Sequence, residues 1–185
     1  NFFTNGAVEV FDCAAQGRID AFFLGGGQID GAGNINLVGT GTYPKTDVRW
    51  PGSFGSAYLY HLVPRVILFR EEHSPRIFVP KVDFVSAAAT TPEVRRRGGP
   101  HALLTNMALF DFDKARRGFT LRSVHPGFSA ADIRAQTGFD YFEPGQIPQT
   151  PMPDAETLVL LRGRIMDELA ETYPAFARAM QQAAA

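Results

Sequence analysis

Apolar positions along this chain come in short runs cut by glycine, proline and charge, and their spacing changes from one run to the next. Between Gly6 and Gln16, the positions Val8, Val10, Phe11, Ala14 and Ala15 are compatible with an amphipathic helix that stops near Gly17. Ile19 to Leu24 is a short apolar run ending in Gly25-Gly26-Gly27, the pattern of a buried strand entering a glycine turn. Ile35 to Val38 is a second apolar stretch, closed by Gly39-Thr40-Gly41. Arg65 to Phe69 and Arg76 to Val79 predict two central strands joined by the polar turn Glu71-Glu72-His73-Ser74-Pro75, with Val82 to Val85 as a further candidate.

Thr90 to Pro100 holds Pro92, Gly98 and Gly99 and reads as a surface loop. Its run Arg95-Arg96-Arg97 is taken as solvated rather than as a phosphate clamp. Leu103 to Phe112 and Gly118 to Val124 predict a β-meander with Asp113 to Arg117 as a turn. Ser129 is placed to cap a helix over Ala130 to Thr137, with Asp132 completing the capping pair and Gly138 as the stop. The four prolines between Pro144 and Pro153 exclude regular structure there. From Asp154, the positions Leu158, Leu161, Ile165, Leu169 and Tyr173 make one apolar stripe of a last helix. Strands, helices and glycine turns in alternation give an α/β class.

Composition narrows the function. With 185 residues, 45% of them hydrophobic, the chain is long enough for one domain with its own core, and residues 1–185 are read as such. A net charge of −1 without segregation points to neither nucleic acid nor a membrane surface. No run reaches the roughly 18 apolar residues of a membrane span, and no signal peptide is evident, so a cytoplasmic location is expected. Cys13 cannot form an internal disulfide and reads as a small packed side chain. His61, His101 and His125 show no metal-ligand spacing with one another or with carboxylates, so no metal is expected. The chain opens on Asn1 and runs into Phe2-Phe3 as if within an element, which suggests the remainder of a longer polypeptide that needs a partner surface.

Three stretches could carry chemistry. In Gly25-Gly26-Gly27-Gln28-Ile29-Asp30-Gly31-Ala32-Gly33-Asn34-Ile35-Asn36, glycines at a strand end let backbone amides approach a ligand. Gln28, Asp30, Asn34 and Asn36 add donors and acceptors, although a ligand-free glycine hairpin fits the pattern too. Gly52-Ser53-Phe54-Gly55, after Pro51, could cradle an oxyanion through its amides, or simply reverse the chain. It lacks the Gly-x-Ser-x-Gly order of a hydrolase elbow. His73, Arg76, Lys81 and Asp83 are the third group, equally readable as solvated strand ends.

In order and spacing these stretches resemble the β subunit of family I CoA-transferases, closest to the glutaconate type. The segment Gly25 to Asn36 matches that family's Gly-Gly-(Ala/Gly)-Gln-Ile-Asp-x-x-Gly-Asn-x-Asn. Pro44-Lys45-Thr46 and Gly52 to Gly55 match its Pro-Lys-Thr and Gly-Ser-Gly-Gly-type loop. His73 to Phe84 and His125 to Phe139 match two later motifs, and the likeness covers about Asp20 to Tyr141.

The resemblance implies an open, largely parallel α/β sheet with flanking helices and the glycine-rich loops together at one end. It implies a CoA thioester as substrate, a carboxylic acid as second substrate, with a dicarboxylic or 3-oxo acid as the family's expectation, no permanently bound cofactor, and an α-type partner subunit. It makes Gly25, Gly26, Gly27, Gln28, Asn34, Asn36, Gly52, Ser53, Phe54 and Gly55 the candidates for holding the ester. In such enzymes a glutamate in a Glu-Ser-Gly or Glu-Asn-Gly turn, upstream of the first glycine stretch, attacks the acyl-CoA. Here Glu9 is followed by Val10 and no such turn occurs, so no catalytic glutamate is assigned. Phe54 stands where the loop would have glycine, and its ring is expected beside the acyl group. CoA transfer, hydrolysis or ring-opening of a CoA ester, and a structural role beside a catalytic partner all stay open.

Overall fold

A computed structural model describes residues 6–90 and 96–183 of the chain. They fall into two compact units that divide between Thr150 and Pro151. The first unit contains α1 (Gly6–Ala15), β1 (Ala21–Leu24), β2 (Gln28–Ile29), β3 (Ile35–Asn36), β4 (Gly39–Thr40), β5 (Val48–Arg49), α2 (Ser56–Leu62), β6 (Arg65–Arg70), β7 (Pro100–Thr105), β8 (Ala108–Asp113), β9 (Gly118–Val124) and α3 (Ala130–Gln136). The second contains α4 (Ala155–Leu160), α5 (Met166–Thr172) and α6 (Pro174–Ala183).

The expected open α/β sheet is formed, in the order β1-β6-β7-β8-β9. Its first half is parallel, with Leu24 opposite Leu68 and Leu68 opposite Leu103. Its second half is the expected antiparallel meander, with Leu103 opposite Phe110 and Phe110 opposite Leu121. Along β6 the side chains alternate, so Val66 and Leu68 are buried while Phe69 is exposed. Phe110, Phe119, Leu121, Ile133, Phe78 and Ile29 fill the core around these positions. Tyr60 on α2 is fully buried and donates to the Gly33 carbonyl at 2.6 Å, tying that helix to the turn between β2 and β3. The Ser129 cap forms as a reciprocal pair with Asp132.

Four expectations change. Arg76 to Val79 is not a strand: the Ile77 and Phe78 amides both donate to Ser74 O, at 3.0 and 2.9 Å, and wind a turn after Pro75. Only Phe78 bridges to another segment, at Ile29. Val82 to Val85 is irregular, because the Asp83 amide donates to the Gln28 side chain and not to a ladder. The run at β1 is an edge strand with Phe23 exposed, rather than a buried one. The last apolar stripe spans a broken helix: Gly163 leaves helical geometry (φ −99°, ψ −109°), and Tyr173 ends α5 ahead of Pro174. Of the arginine run, Arg95 lies outside the described residues, and Arg96 is half-buried and donates to the Ala88 carbonyl. Phe2, Phe3 and Pro92 also lie outside the described residues.

Candidate active site

The carboxyl ends of β1 and β6 open onto a cleft of about 640 Å³. Ligands of open α/β sheets bind at such strand ends, where loop amides are free of the ladder. The cleft is lined by Gly25, Gly26, Gly27, Trp50, Gly52, Arg70 and Arg76, among others. The first glycine turn and the start of the second loop therefore meet, as their positions in the sequence led one to expect.

The glycines have separate reasons to be glycine. A Cβ on Gly27 would run into the Trp50 indole, and one on Gly26 would lie 2.9 Å from the Ile35 side chain. Gly25 has room, with Phe69 O the nearest atom at 3.8 Å. Gly52 has open space but a φ of +126°, which side chains resist. Among the described residues no hydrogen bond is made by the amide N–H groups of Gly52, Ser53, Phe54 and Gly55, whereas that of Gly27 donates to Asn36 O at 2.9 Å.

The polar residues of the first motif face the other way. Asn36 is fully buried; its Nδ2 donates to Gln28 Oε1 and Gly39 O, both at 2.7 Å, and its Oδ1 accepts from the Val38 amide at 2.9 Å. Gln28 in turn donates to Asp83 and accepts from the Asp83 amide. Asn34 donates to Asp30 at 3.1 Å and accepts from the Ala89 amide. Gln28, Asn34 and Asn36, offered by the sequence as ligand contacts, thus hold the β2–β5 loops in shape, and none of them lines the cleft.

Phe54 needs correction as well. Its ring is 91% exposed and meets Phe11 of α1 edge-on, with centroids 5.7 Å apart. With Phe11, Gly55 and Tyr58 it lines a separate, shallower hollow, so it does not border the cleft. Ser53 lies in the same loop, and its carbonyl accepts from the Ser56 amide and hydroxyl at the start of α2.

The third group is dispersed. His73 is buried, with Nδ1 2.9 Å from Thr105 Oγ1 and Nε2 2.9 Å from Thr137 Oγ1. The Thr137 hydroxyl donates to Ile133 O at 2.7 Å and the Thr105 hydroxyl to Ala108 O at 3.2 Å, so either can accept from the single N–H of a neutral ring. Burial pulls the imidazole down to about 4, which keeps it neutral. Lys81 and Asp83 are exposed, away from it; Arg76 pairs with Glu72 at 2.6 Å on the cleft rim.

Arg70 was missed from the sequence. It ends β6 on the same face as Val66 and Leu68, so the strand's period turns its side chain inward and not to solvent. Its Nε is buried without a hydrogen-bond partner, and among the described residues it forms no ion pair. A charge closing an apolar alternation was the signal available.

Similarity to known proteins agrees with this geometry. Residues 1–136 match the family described as Coenzyme A transferase. The chain belongs to that family. The B subunit of the 3-oxoadipate CoA-transferase of Pseudomonas knackmussii is 30% identical over 83% of this chain and 62% of its own length. Among solved structures, glutaconate CoA-transferase of Acidaminococcus fermentans superposes with a TM-score of 0.74 at 26% identity, covering 84% of this chain and 64% of that one. IpdAB of Rhodococcus jostii RHA1 does so with a TM-score of 0.77 at 28% identity, again covering 84% and 64%. The chain spans about three fifths of the length of the curated relatives it matches. In this member of the family, no helix among the described residues is long and apolar enough to cross a membrane.

Proposed function

We propose that this chain is the β-type half of an acyl-CoA:carboxylate CoA-transferase and that it supplies the backbone cradle for the CoA ester. The observation that carries the reading is the meeting of the Gly25–Gly27 turn and the Gly52 loop around one cleft, beside the unbonded Gly52–Gly55 amides. Transfer begins when a carboxylate attacks the thioester carbonyl. The carbonyl electrons move to oxygen, and collapse of that oxyanion expels CoA thiolate and leaves an anhydride. Thiolate then attacks the other anhydride carbonyl, forming the new thioester and freeing the donor acid. Each addition builds an oxyanion, and preorganised N–H donors are what lower its energy.

Among the described residues no aspartate or glutamate lines the cleft, and none is assigned as the attacking carboxylate. The lettered subunit name of the 3-oxoadipate relative and the paired name IpdAB support an α-type partner subunit. A cytoplasmic enzyme that takes CoA thioesters as substrate and keeps no permanent cofactor is the setting of this reading. The test is turnover of the reconstituted complex with a panel of acyl-CoA donors, with and without a carboxylate acceptor. Acceptor-dependent exchange of CoA is the expected result. Release of free CoA at the same rate without acceptor would overturn transfer in favour of hydrolysis. That second reading, which includes ring-opening of a CoA ester, is favoured by the IpdAB likeness; curated IpdB relatives carry the name cholesterol ring-cleaving hydrolase. No activity in the complex whatever would leave only a structural role for the chain.

A further inference from the structure

We infer that Trp50 is a positioning residue of the cleft: its indole, held against Gly27, fixes the separation between the Gly25–Gly27 turn and the Gly52 loop, so that the loop amides stay aimed at one oxyanion. This rests on the reading of the cleft as a CoA-ester site. Trp50 is the only tryptophan of the chain, and it is half-buried on the cleft wall. The three atoms nearest to a Cβ placed on Gly27 would be Cζ3, Cη2 and Cε3 of Trp50, the ring edge farthest from the indole nitrogen. The ring therefore fills the space that a side chain at Gly27 would need.

The backbone closes a circuit around that contact. The Gly27 amide donates to Asn36 O at 2.9 Å, the Val38 amide to Asn36 Oδ1 at 2.9 Å, and the Trp50 amide to Val38 O at 3.0 Å. From Gly27 the path runs through Asn36 and Val38 to Trp50, and the indole returns it to Gly27. Pro51 follows directly and restricts the backbone both at itself and at Trp50, so Gly52 moves with Trp50. Without the ring edge, Trp50 stays tied to Val38, but nothing fills the space between the two loops. An oxyanion donor helps only where it already points, and a displacement of about 1 Å can cost about 10²-fold in rate.

The experiment compares wild type, Trp50→Phe, Gly27→Ala and the double variant in the whole complex. It measures steady-state turnover of one acyl-CoA donor, below the melting temperature of each. Trp50→Phe removes the edge that touches Gly27 and keeps an aromatic wall. Its kcat is expected to fall about 10- to 100-fold with KM for the thioester moving less than about threefold, the split left by an interaction that serves the transition state alone. Gly27→Ala should fall at least as far, because its methyl drives the ring away. Gly27 has no positive φ, so the methyl brings no backbone strain of its own. In the double variant that methyl takes the place of the missing edge, and kcat should recover about tenfold over either single variant.

Losses that simply multiply in the double variant, or an unchanged kcat in Trp50→Phe, overturn the assignment and leave the transferase reading standing. So does a rise in KM alone, which would make the ring a surface for the ligand. Release of CoA without acceptor defeats transfer, and recovery in the double variant, measured on that hydrolysis, still supports the role of Trp50. A wild-type complex inert toward every thioester removes the cradle and this role with it. If Trp50→Phe does not assemble, Trp50→Leu with and without Gly27→Ala is read in the same way.

Discussion

Two neighbouring regions of the molecule treat their polar groups in opposite ways. Around Asn36, the side chains of Gln28, Asn34, Asp30 and Asp83 bond one another and the backbone. At the cleft, the Gly52 amide and Arg70 Nε find no partner among the described residues, and neither do the amides of the loop that runs on from Gly52 to Gly55. Both regions are rich in conspicuous polar and glycine residues, yet only the second has bonding capacity left for a ligand. Buried polar groups are normally satisfied, so an unsatisfied one is the better pointer to a site than a polar motif as such.

Substitutions can break that contrast. The largest effect is expected at Gly52→Val. A Cβ added there meets nothing within 4 Å, so the φ of +126° is what the substitution opposes, and the loop amides turn away. Turnover of the complex should drop about 10²–10³-fold with the fold intact, the usual loss for one oxyanion donor; a drop under threefold would remove the loop from the mechanism. Gly55→Val is a poorer probe, because its side chain would also strike Phe11.

On the satisfied side, Asn36→Ala strips partners from Gln28, Gly39 and the Val38 amide at once. Unfolding in urea should show a loss on the order of 3 kcal/mol, the sum of several buried groups left unpaired. A loss below about 1 kcal/mol would mean that water replaces the network.

His73 adds a pH dependence. Its folded value of about 4 lies below the ordinary 6.5, so between these pH values the unfolded chain binds more protons. Its contribution is complete above about pH 6.5 and is lost as pH falls toward 4, with a ceiling of about 3 kcal/mol. His73→Gln should flatten the slope of stability between pH 7 and 5, and an unchanged slope would point to other groups.

Phe54→Ala should cost about 1 kcal/mol through the lost edge contact with Phe11, with acyl preference unmoved. A changed substrate panel would put the ring back beside the acyl group. Smallest of all, Ser53→Ala should alter turnover less than about threefold, since a hydroxyl is no nucleophile here; a dead enzyme would point to serine chemistry.

What could be read from the sequence was local. α1, the meander, the Ser129–Asp132 pair and the Asp154 cap follow from spacing and capping residues within one or two turns. Arg76 to Val79 has the composition of a strand, but Pro75 and two bonds to Ser74 O wind it into a turn. The two-residue strands β2 to β5 carry no period at all. The site divides in the same way. Glycine positions and their meeting were legible, because they need only a strand end. The inward commitment of Gln28 and Asn36 was not, because Asp83 and Gly39 are their partners and only the fold brings Asp83 near. Phe54 turned to Phe11, a residue with no sequence link to the loop.

The split between parallel and antiparallel halves of the sheet has a kinetic consequence. β7, β8 and β9 are joined by tight turns, whereas residues 25–64 separate β1 from β6 and residues 71–99 separate β6 from β7. Local pairings form before distant ones, so the meander is the natural nucleus and β1 docks late. The cleft, built on the late strands, is then the last feature to appear as the chain folds and the first to open under native conditions. Backbone amides of β1 should exchange their hydrogens through small openings well before those of β8, so that the cleft proposed to hold the CoA ester can come apart while the meander behind it stays whole.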